Sequence, residues 1–427
     1  MDQWWWLFPV AIFGFGIHRS FSNNRVLISG IALLPLAIFA TISFRKVSSI
    51  WWITSNDLPY LESLSISVNR FGPAGNISAI GQNISYHWYS LAWSGMTSNL
   101  SHANSWTVLT ILLPILLCMV IGLLVWSIVY EYSNSEPVSF IAALGVLLVS
   151  DVVTTTSPSQ LFAFAPLLLA IFLATQQFSK PFALRHWLLV FILIFFIFGS
   201  KVSSGAVMSG GLLLSLLFAN KLTLRNRLVI GLGIIISISA AYAYFFSSSR
   251  GINTLKLGPS DLAGWLVMGR PLGGGRFHDL IGFLVLLVYF LPAMGGLVLL
   301  SARPKFLKFG QQFLLLISIQ VTGFVLAISV DGTGTESYFQ FATYPVSVML
   351  VAVLIAELKN SYFISNRKFY FVISTGILFG SFRCLSTDFV QSFKQPSFLL
   401  YMLPFIALIV ALALASFFIS RSWSNSF

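Results

Sequence analysis

Charge is what this chain has least of. Only 8% of its 427 residues are Asp, Glu, Lys or Arg, while 57% are hydrophobic, and mean hydropathy is +0.88. A chain with so little polar surface cannot wrap a water-soluble core, so soluble folding is excluded. Cysteine is nearly absent too: Cys118 sits inside an apolar run and Cys384 in a later polar connection, a placement that offers no disulfide framework and no metal-binding spacing. The short alternating polar and apolar segments of an outer-membrane barrel are also missing, which leaves helices to carry the fold. No fixed-period repeat, low-complexity tract or separate soluble domain interrupts the sequence. It reads as a single integral-membrane domain over 1–427.

What is present is a relay of apolar runs near the length of about 20 residues that a bilayer crossing needs. They fall at 3–17, 27–43, 107–130, 138–153, 161–176, 187–200, 206–219, 228–246, 281–301, 312–330, 339–357, 369–382 and 398–419. The fold class expected is therefore an all-α polytopic integral membrane protein with about thirteen transmembrane helices. The first run opens with Trp4, Trp5 and Trp6 behind Asp2 and reads as a span with an aromatic anchor.

Basic residues set the orientation, because Lys and Arg are retained in cytoplasmic loops. Lys180 and Arg185, then Lys221, Arg225 and Arg227, then Arg303, Lys305 and Lys308, then Lys359, Arg367 and Lys368 fall on alternate connections. Those connections are expected to be cytoplasmic, with the N-terminus outside and Arg421 inside. The formal charge of +12 is thus mainly a topology signal, with attraction to anionic lipid second, and it gives no support to nucleic-acid binding. Of the twelve acidic residues, nine fall on the outer side: Asp2, Asp57, Glu62, Asp151, Asp261, Asp279, Asp331, Glu336 and Asp388. Avoidance of the cytoplasmic face explains this skew, and so does an acidic outer cavity.

The longest polar interval, Thr54–Trp106, lies in an outer loop over 44–106, with a second outer connection over 247–280. Long loops on a membrane scaffold are where chemistry is expected. Asn56 or Asp57 can cap a helix with Pro59 in its first turn, and Gly72-Pro73 can end it. Leu58, Leu61, Leu64, Val68 and Phe71 recur at helical spacing with Ser63, Ser65, Ser67 and Asn69 between them, the pattern of a helix lying along the membrane surface. Asp57 and Glu62 place two carboxylates near one entrance to the spans. Capping is the structural alternative for Asp57, and a solvated surface for Glu62. Trp88, Tyr89 and Trp93 suit a lipid-headgroup interface. The loop also holds three Asn-x-Ser sequons, at Asn76, Asn83 and Asn99.

Two segments carry a recognisable pattern: Asp57-Leu58-Pro59-Tyr60-Leu61 at the start of the loop, and Gly81 followed by Tyr86-His87-Trp88-Tyr89-Ser90-Leu91-Ala92-Trp93-Ser94-Gly95 at its end. The arrangement resembles the C-type glycosyltransferase superfamily, in particular its many-span bacterial members. The segments Thr156–Gln160, Gly199–Gly205 and Ser337–Gln340 are similar to that group in style. Relatives with this layout commonly carry His near the Leu61 position, and one span before the loop where this chain has two.

The resemblance implies transfer of a sugar from a polyprenyl-phosphate donor to a lipid or glycan acceptor, on the extracytoplasmic face of a bacterial inner membrane. It implies that Asp57, and more weakly Glu62, serves as general base or as ligand to a divalent cation. Abstracting a hydroxyl proton calls for a positioned carboxylate, and a departing lipid phosphate calls for cations. Lys201, between two apolar runs and flanked by Gly199, Ser200, Ser203, Ser204 and Gly205, is the candidate for that phosphate; snorkelling is its alternative. Arg270 and Arg276 bracket a Gly-rich stretch that can contact the donor or act as a gate. Tyr86, His87 and Trp88 are further substrate-binding candidates. Asp151, near the outer end of a span and followed by three threonines, is either a site residue or the cap of the Thr154–Ser159 turn. Two other functions share these features. A polymerase or ligase of lipid-linked oligosaccharide would use Arg270 and Arg276, and a membrane transporter would use the intramembrane charges, although no duplicated or Gly/Pro-broken half-repeat is present.

Overall fold

A computed structural model describes residues 57–72, 84, 88–148, 158–179, 182–219, 222–246, 259, 262–264, 276–289, 311–330 and 337–362. Among them the secondary structure is helical, without a strand. The helices are α1 (Asp57–Phe71), α2 (Tyr89–Ser101), α3 (Ser105–Ser133), α4 (Glu136–Leu148), α5 (Pro158–Ser179), α6 (Leu184–Ser200), α7 (Val202–Leu217), α8 (Leu224–Phe245), α9 (Arg276–Tyr289), α10 (Gln311–Ser329), α11 (Ser337–Phe341) and α12 (Tyr344–Tyr362). Helices α3, α5 and α8 are each long and apolar enough to cross a bilayer, and α4, α6, α7, α9, α10 and α12 contain shorter apolar stretches. The expected runs at 3–17, 27–43, 369–382 and 398–419 lie outside the described residues. Helix α9 begins at Arg276, inside the connection expected over 247–280.

The chain divides into two compact units. The first contains α1 to α8, most of α10 and α11, and α12 as far as Ala356; the second contains α9. Within the first unit, contacts sort the helix termini into two ends. At one end Tyr89, at the start of α2, meets Phe162 of α5 and Phe196 of α6, and Trp88 meets Phe245 at the end of α8. At the other, Phe178 of α5 meets Trp187 of α6, Gln176 of α5 meets Glu131 of α3, and Arg227 of α8 donates to the carbonyls of Leu217 at the end of α7 and of Leu222 in the connection to α8. Arg185, Arg225 and Arg227 thus share one end, while α1, α2 and the junction between α6 and α7 share the opposite one.

Small residues set how closely the helices approach, as expected where van der Waals contact and hydrogen bonding replace the hydrophobic effect between helices. A Cβ at Gly211 of α7 would stand 2.8 Å from the Ile319 Cα of α10, and one at Gly323 would stand 2.9 Å from the Phe339 carbonyl oxygen of α11. Buried polar groups tie α10 to α12. Gln320 donates to Ser347 Oγ at 2.7 Å, and Ser347 donates onward to the Thr343 carbonyl at 3.0 Å.

Candidate functional site

Helix α1 forms over the stretch that the capping and turn residues mark. It ends at Gly72, whose φ of 70° and N–H to the Val68 carbonyl at 2.9 Å close the last turn in the left-handed conformation that glycine adopts freely. Leu58, Leu61, Leu64 and Val68 are buried as the spacing implies, but Phe71 is exposed, and Ser65 and Ser67 are as buried as the leucines. A simple polar-out surface helix is therefore corrected: one serine-bearing flank of α1 is covered by α2. Ser65 donates across this contact to the Leu91 carbonyl at 2.9 Å, and Gly95 lets the two backbones touch. Position 57 falls on the stripe of Leu61, Leu64 and Val68, since steps of four, seven and eleven residues return to one side of an α-helix.

Glu62 lies about 140° around α1 from position 57, five residues at about 100° each. Its carboxylate accepts a hydrogen bond of 2.5 Å from Ser105 Oγ, which ties α1 to the first turn of α3. The positions proposed for a shared cation thus lie on different sides of the helix. Among the described residues no three His, Cys, Asp or Glu side chains come together to hold a metal ion.

The aromatic residues that close the loop are not at a lipid surface. Trp88, Tyr89 and Trp93 are all buried, which corrects the headgroup reading. Trp88 packs 5.2 Å from Phe245 and 5.9 Å from Tyr244, Tyr89 packs 4.8 Å from Phe196, and Trp93 packs 5.7 Å from Phe162. Burial pushes the Tyr89 phenol well above the usual tyrosine range, so it stays protonated.

Lys201 is the single residue between α6 and α7, with an extended backbone (φ −158°, ψ 115°). Its N–H still donates to the Ile197 carbonyl at 2.8 Å, and its carbonyl accepts from the Gly205 N–H at 3.1 Å, so both of its own backbone polar groups are paired at the turn. Gly199 and Gly205 leave room for the Phe245 and Phe198 rings respectively, where any side chain would collide. Gln160, in the first turn of α5, bridges the start of α7: its Nε2 donates to Ser204 Oγ at 3.0 Å, and Ser203 Oγ donates to its Oε1 at 3.4 Å. Lys201 is 7% exposed, and its ammonium lies 3.9 Å from the centre of the Tyr338 ring. Snorkelling to water does not describe a side chain held this way.

The structure thus places α1, Trp88 and Lys201 at one end of the first unit. Arg276 opens α9 in the second unit. The Asp57 side chain and Tyr86, His87, Asp151 and Arg270 lie outside the described residues. Sequence reasoning singled out the segments containing Gln160 and Tyr338 without finding that both converge on the Lys201 junction. The available signal was a polar side chain at the first turn of an apolar helix. A cleft of about 190 Å³ lined by Ile128, Glu131, Tyr132, Phe172, Thr175 and Gln176 lies at the opposite, arginine-bearing end.

No family model matches the sequence, and no curated protein matches it. Among solved structures, the chain is similar to the archaeal oligosaccharyltransferase AglB from Archaeoglobus fulgidus in complex with an inhibitory peptide and a dolichol-phosphate. The TM-score is 0.48 at 12% identity, over 90% of this chain and 54% of that one. It is also similar to the Archaeoglobus fulgidus oligosaccharyltransferase tethered through a disulfide to an acceptor peptide, with TM-score 0.45 at 14% identity over 90% and 53%. The chain spans about half the length of these proteins. A likeness of this size says nothing about chemistry.

Proposed function

We propose that this chain is a membrane glycosyltransferase of the C type, moving a sugar from a polyprenyl-phosphate donor to an acceptor at the end of the bundle that carries α1 and Lys201. The observation that carries the reading is Lys201 itself: an ammonium 7% exposed at a one-residue corner between two apolar helices. A lysine at such a place between apolar helices is a binding-site candidate by default. The corner also presents the first turn of α7, whose N–H groups and dipole favour an anion, beside the Ser203 and Ser204 hydroxyls. A lipid phosphate supplies that anion, and its prenyl chain suits the apolar surroundings.

The reaction then divides between two groups. The acceptor hydroxyl oxygen attacks the anomeric carbon while the bond from that carbon to the phosphate oxygen breaks. Its proton passes to the Asp57 carboxylate, and the polyprenyl phosphate departs with the bonding electrons, its charge met by Lys201. Glu62 holds α1 against α3, Trp88 braces the start of α2, and Arg270 and Arg276 serve the donor from their Gly-rich connection. Retention of Lys and Arg in cytoplasmic loops makes the end with Arg185, Arg225 and Arg227 the inner one. On this reading the reacting end faces outward from a bacterial inner membrane.

The test is release of free polyprenyl phosphate from lipid-linked sugar by purified Asp57→Asn protein. Asparagine caps a helix as well as aspartate does, so normal folding with turnover lowered about 10²-fold or more is the expected result for a lost base. Full turnover in that variant would remove Asp57 from the chemistry.

A further inference from the structure

The cleft at the arginine-bearing end is built from two helix C-termini. Ile128, Glu131 and Tyr132 line it from the last two turns of α3, and Phe172, Thr175 and Gln176 repeat the same spacing near the end of α5. A helix C-terminus carries partial negative charge, and basic residues in the last turn commonly offset it. Neither α3 nor α5 has one there, and α3 instead puts the exposed Glu131 carboxylate in its last turn. Two donors of the lining are spent locally. Gln176 Nε2 donates to the two Glu131 oxygens at 3.4 and 3.2 Å, and Thr175 Oγ1 donates to the Phe172 carbonyl at 2.8 Å. An ionised carboxylate has about four acceptor positions, of which a single amide N–H group uses only part.

We propose that this cleft binds a primary ammonium group, the head of an ethanolamine phospholipid, with Glu131 as its counter-ion. Helices α3 and α5 are both long and apolar enough to cross a bilayer, so their shared end falls at the level of the lipid headgroups. The charge present calls for a monovalent cation. One carboxylate flanked by neutral groups does not make a divalent metal site, and among the described residues no three His, Cys, Asp or Glu side chains come together. A primary ammonium has N–H groups to give to the carboxylate, which a trimethylammonium lacks. The volume of about 190 Å³ suits a small polar head. Ile128 and Phe172, one turn deeper along each helix, give the lipid's apolar part a matching wall.

The experiment is calorimetric titration of dioctanoyl phosphatidylethanolamine into the purified full-length chain in detergent, with dioctanoyl phosphatidylcholine as the control. The ethanolamine lipid is expected to bind about tenfold more tightly than the choline lipid, the scale of a hydrogen bond to a charged group. Glu131→Gln keeps an oxygen for Gln176 Nε2 while removing the charge. It is expected to melt like the unaltered protein and to lose the preference between the two lipids. Ethanolamine alone is expected to compete far more weakly than the lipid, because it lacks the apolar part. Competition at the lipid's own affinity would overturn the lipid as occupant and make it a soluble amine. Lys180 follows α5 directly and lies outside the described residues. Lys180→Gln is expected to leave lipid affinity unchanged, and tighter binding in that variant would make Lys180 the resident cation of the cleft and overturn the lipid in that role. Equal binding of the two lipids by the unaltered protein, or a preference that survives in Glu131→Gln, would overturn the proposal.

Discussion

Replacing Gly95 by alanine puts a methyl group where α1 and α2 touch. A Cβ there falls inside van der Waals contact of the Ser65 carbonyl oxygen, and stands 3.0 Å from both the Asn69 Cβ and Ser65 Oγ. The nearest obstacle is backbone, so no rotamer change relieves it and the helices must separate. Overpacking of this kind costs about 1–3 kcal/mol, and separation also breaks the Ser65 bond to the Leu91 carbonyl, worth about 1 kcal/mol. Alanine returns about 1 kcal/mol through its better helix propensity, which leaves a net loss of about 1–3 kcal/mol. Gly231 of α8 is the internal control. The nearest atom to a Cβ there is Leu213 Cδ2, at 4.0 Å, so Gly231→Ala should stabilise by about 0.5–1 kcal/mol. Thermal unfolding in detergent, followed by tryptophan fluorescence, should move the two variants in opposite directions from the unaltered protein. Gly95→Ala should also lower turnover beyond its loss of stability, because α1 carries Asp57. A Gly95→Ala protein that melts at or above the unaltered one would refute the close-contact account of α1 and α2.

Glu62→Gln keeps an acceptor for Ser105 Oγ and should preserve turnover, whereas Glu62→Ala should lower stability by about 1 kcal/mol in thermal unfolding; a hundredfold loss of turnover in the glutamine variant would make Glu62 a chemical participant. Arg227→Met removes the donors to the Leu217 and Leu222 carbonyls, so hydrogen exchange at the end of α7 should accelerate, with a cost of about 0.5–1 kcal/mol and no change in turnover. In intact cells a membrane-impermeant maleimide should label Cys384, while Cys118, fully buried in α3, stays unreactive. Labelling of Cys384 only after permeabilisation would invert the orientation and place Asp57 on the cytoplasmic side.

Membrane residence and helical class were legible in composition alone, because a bilayer leaves a chain with so few charges one way to satisfy its backbone when barrel alternation is missing. The start and end of α1 were also legible. Capping, proline and glycine act through the backbone of the residues beside them, and Gly72 adopts the turn its type allows. The junction at Lys201 was visible as a charge among small residues, since Gly199, Ser200, Ser203, Ser204 and Gly205 announce close packing wherever they cluster. What sequence could not decide was which face of each element is covered. The aromatic side chains of Trp88, Tyr89 and Trp93 suit an interface and an interior equally, and only the arrival of Phe162, Phe196 and Phe245 from three other helices puts them inside. The same holds for Glu62, which read as solvated until Ser105 came within reach, for Gln160, which bonds Ser203 and Ser204 from more than 40 residues before them, and for Tyr338, whose ring meets Lys201 from 137 residues after it. Local propensity and spacing are written into neighbouring residues, whereas a contact between distant ones exists only once the bundle has closed.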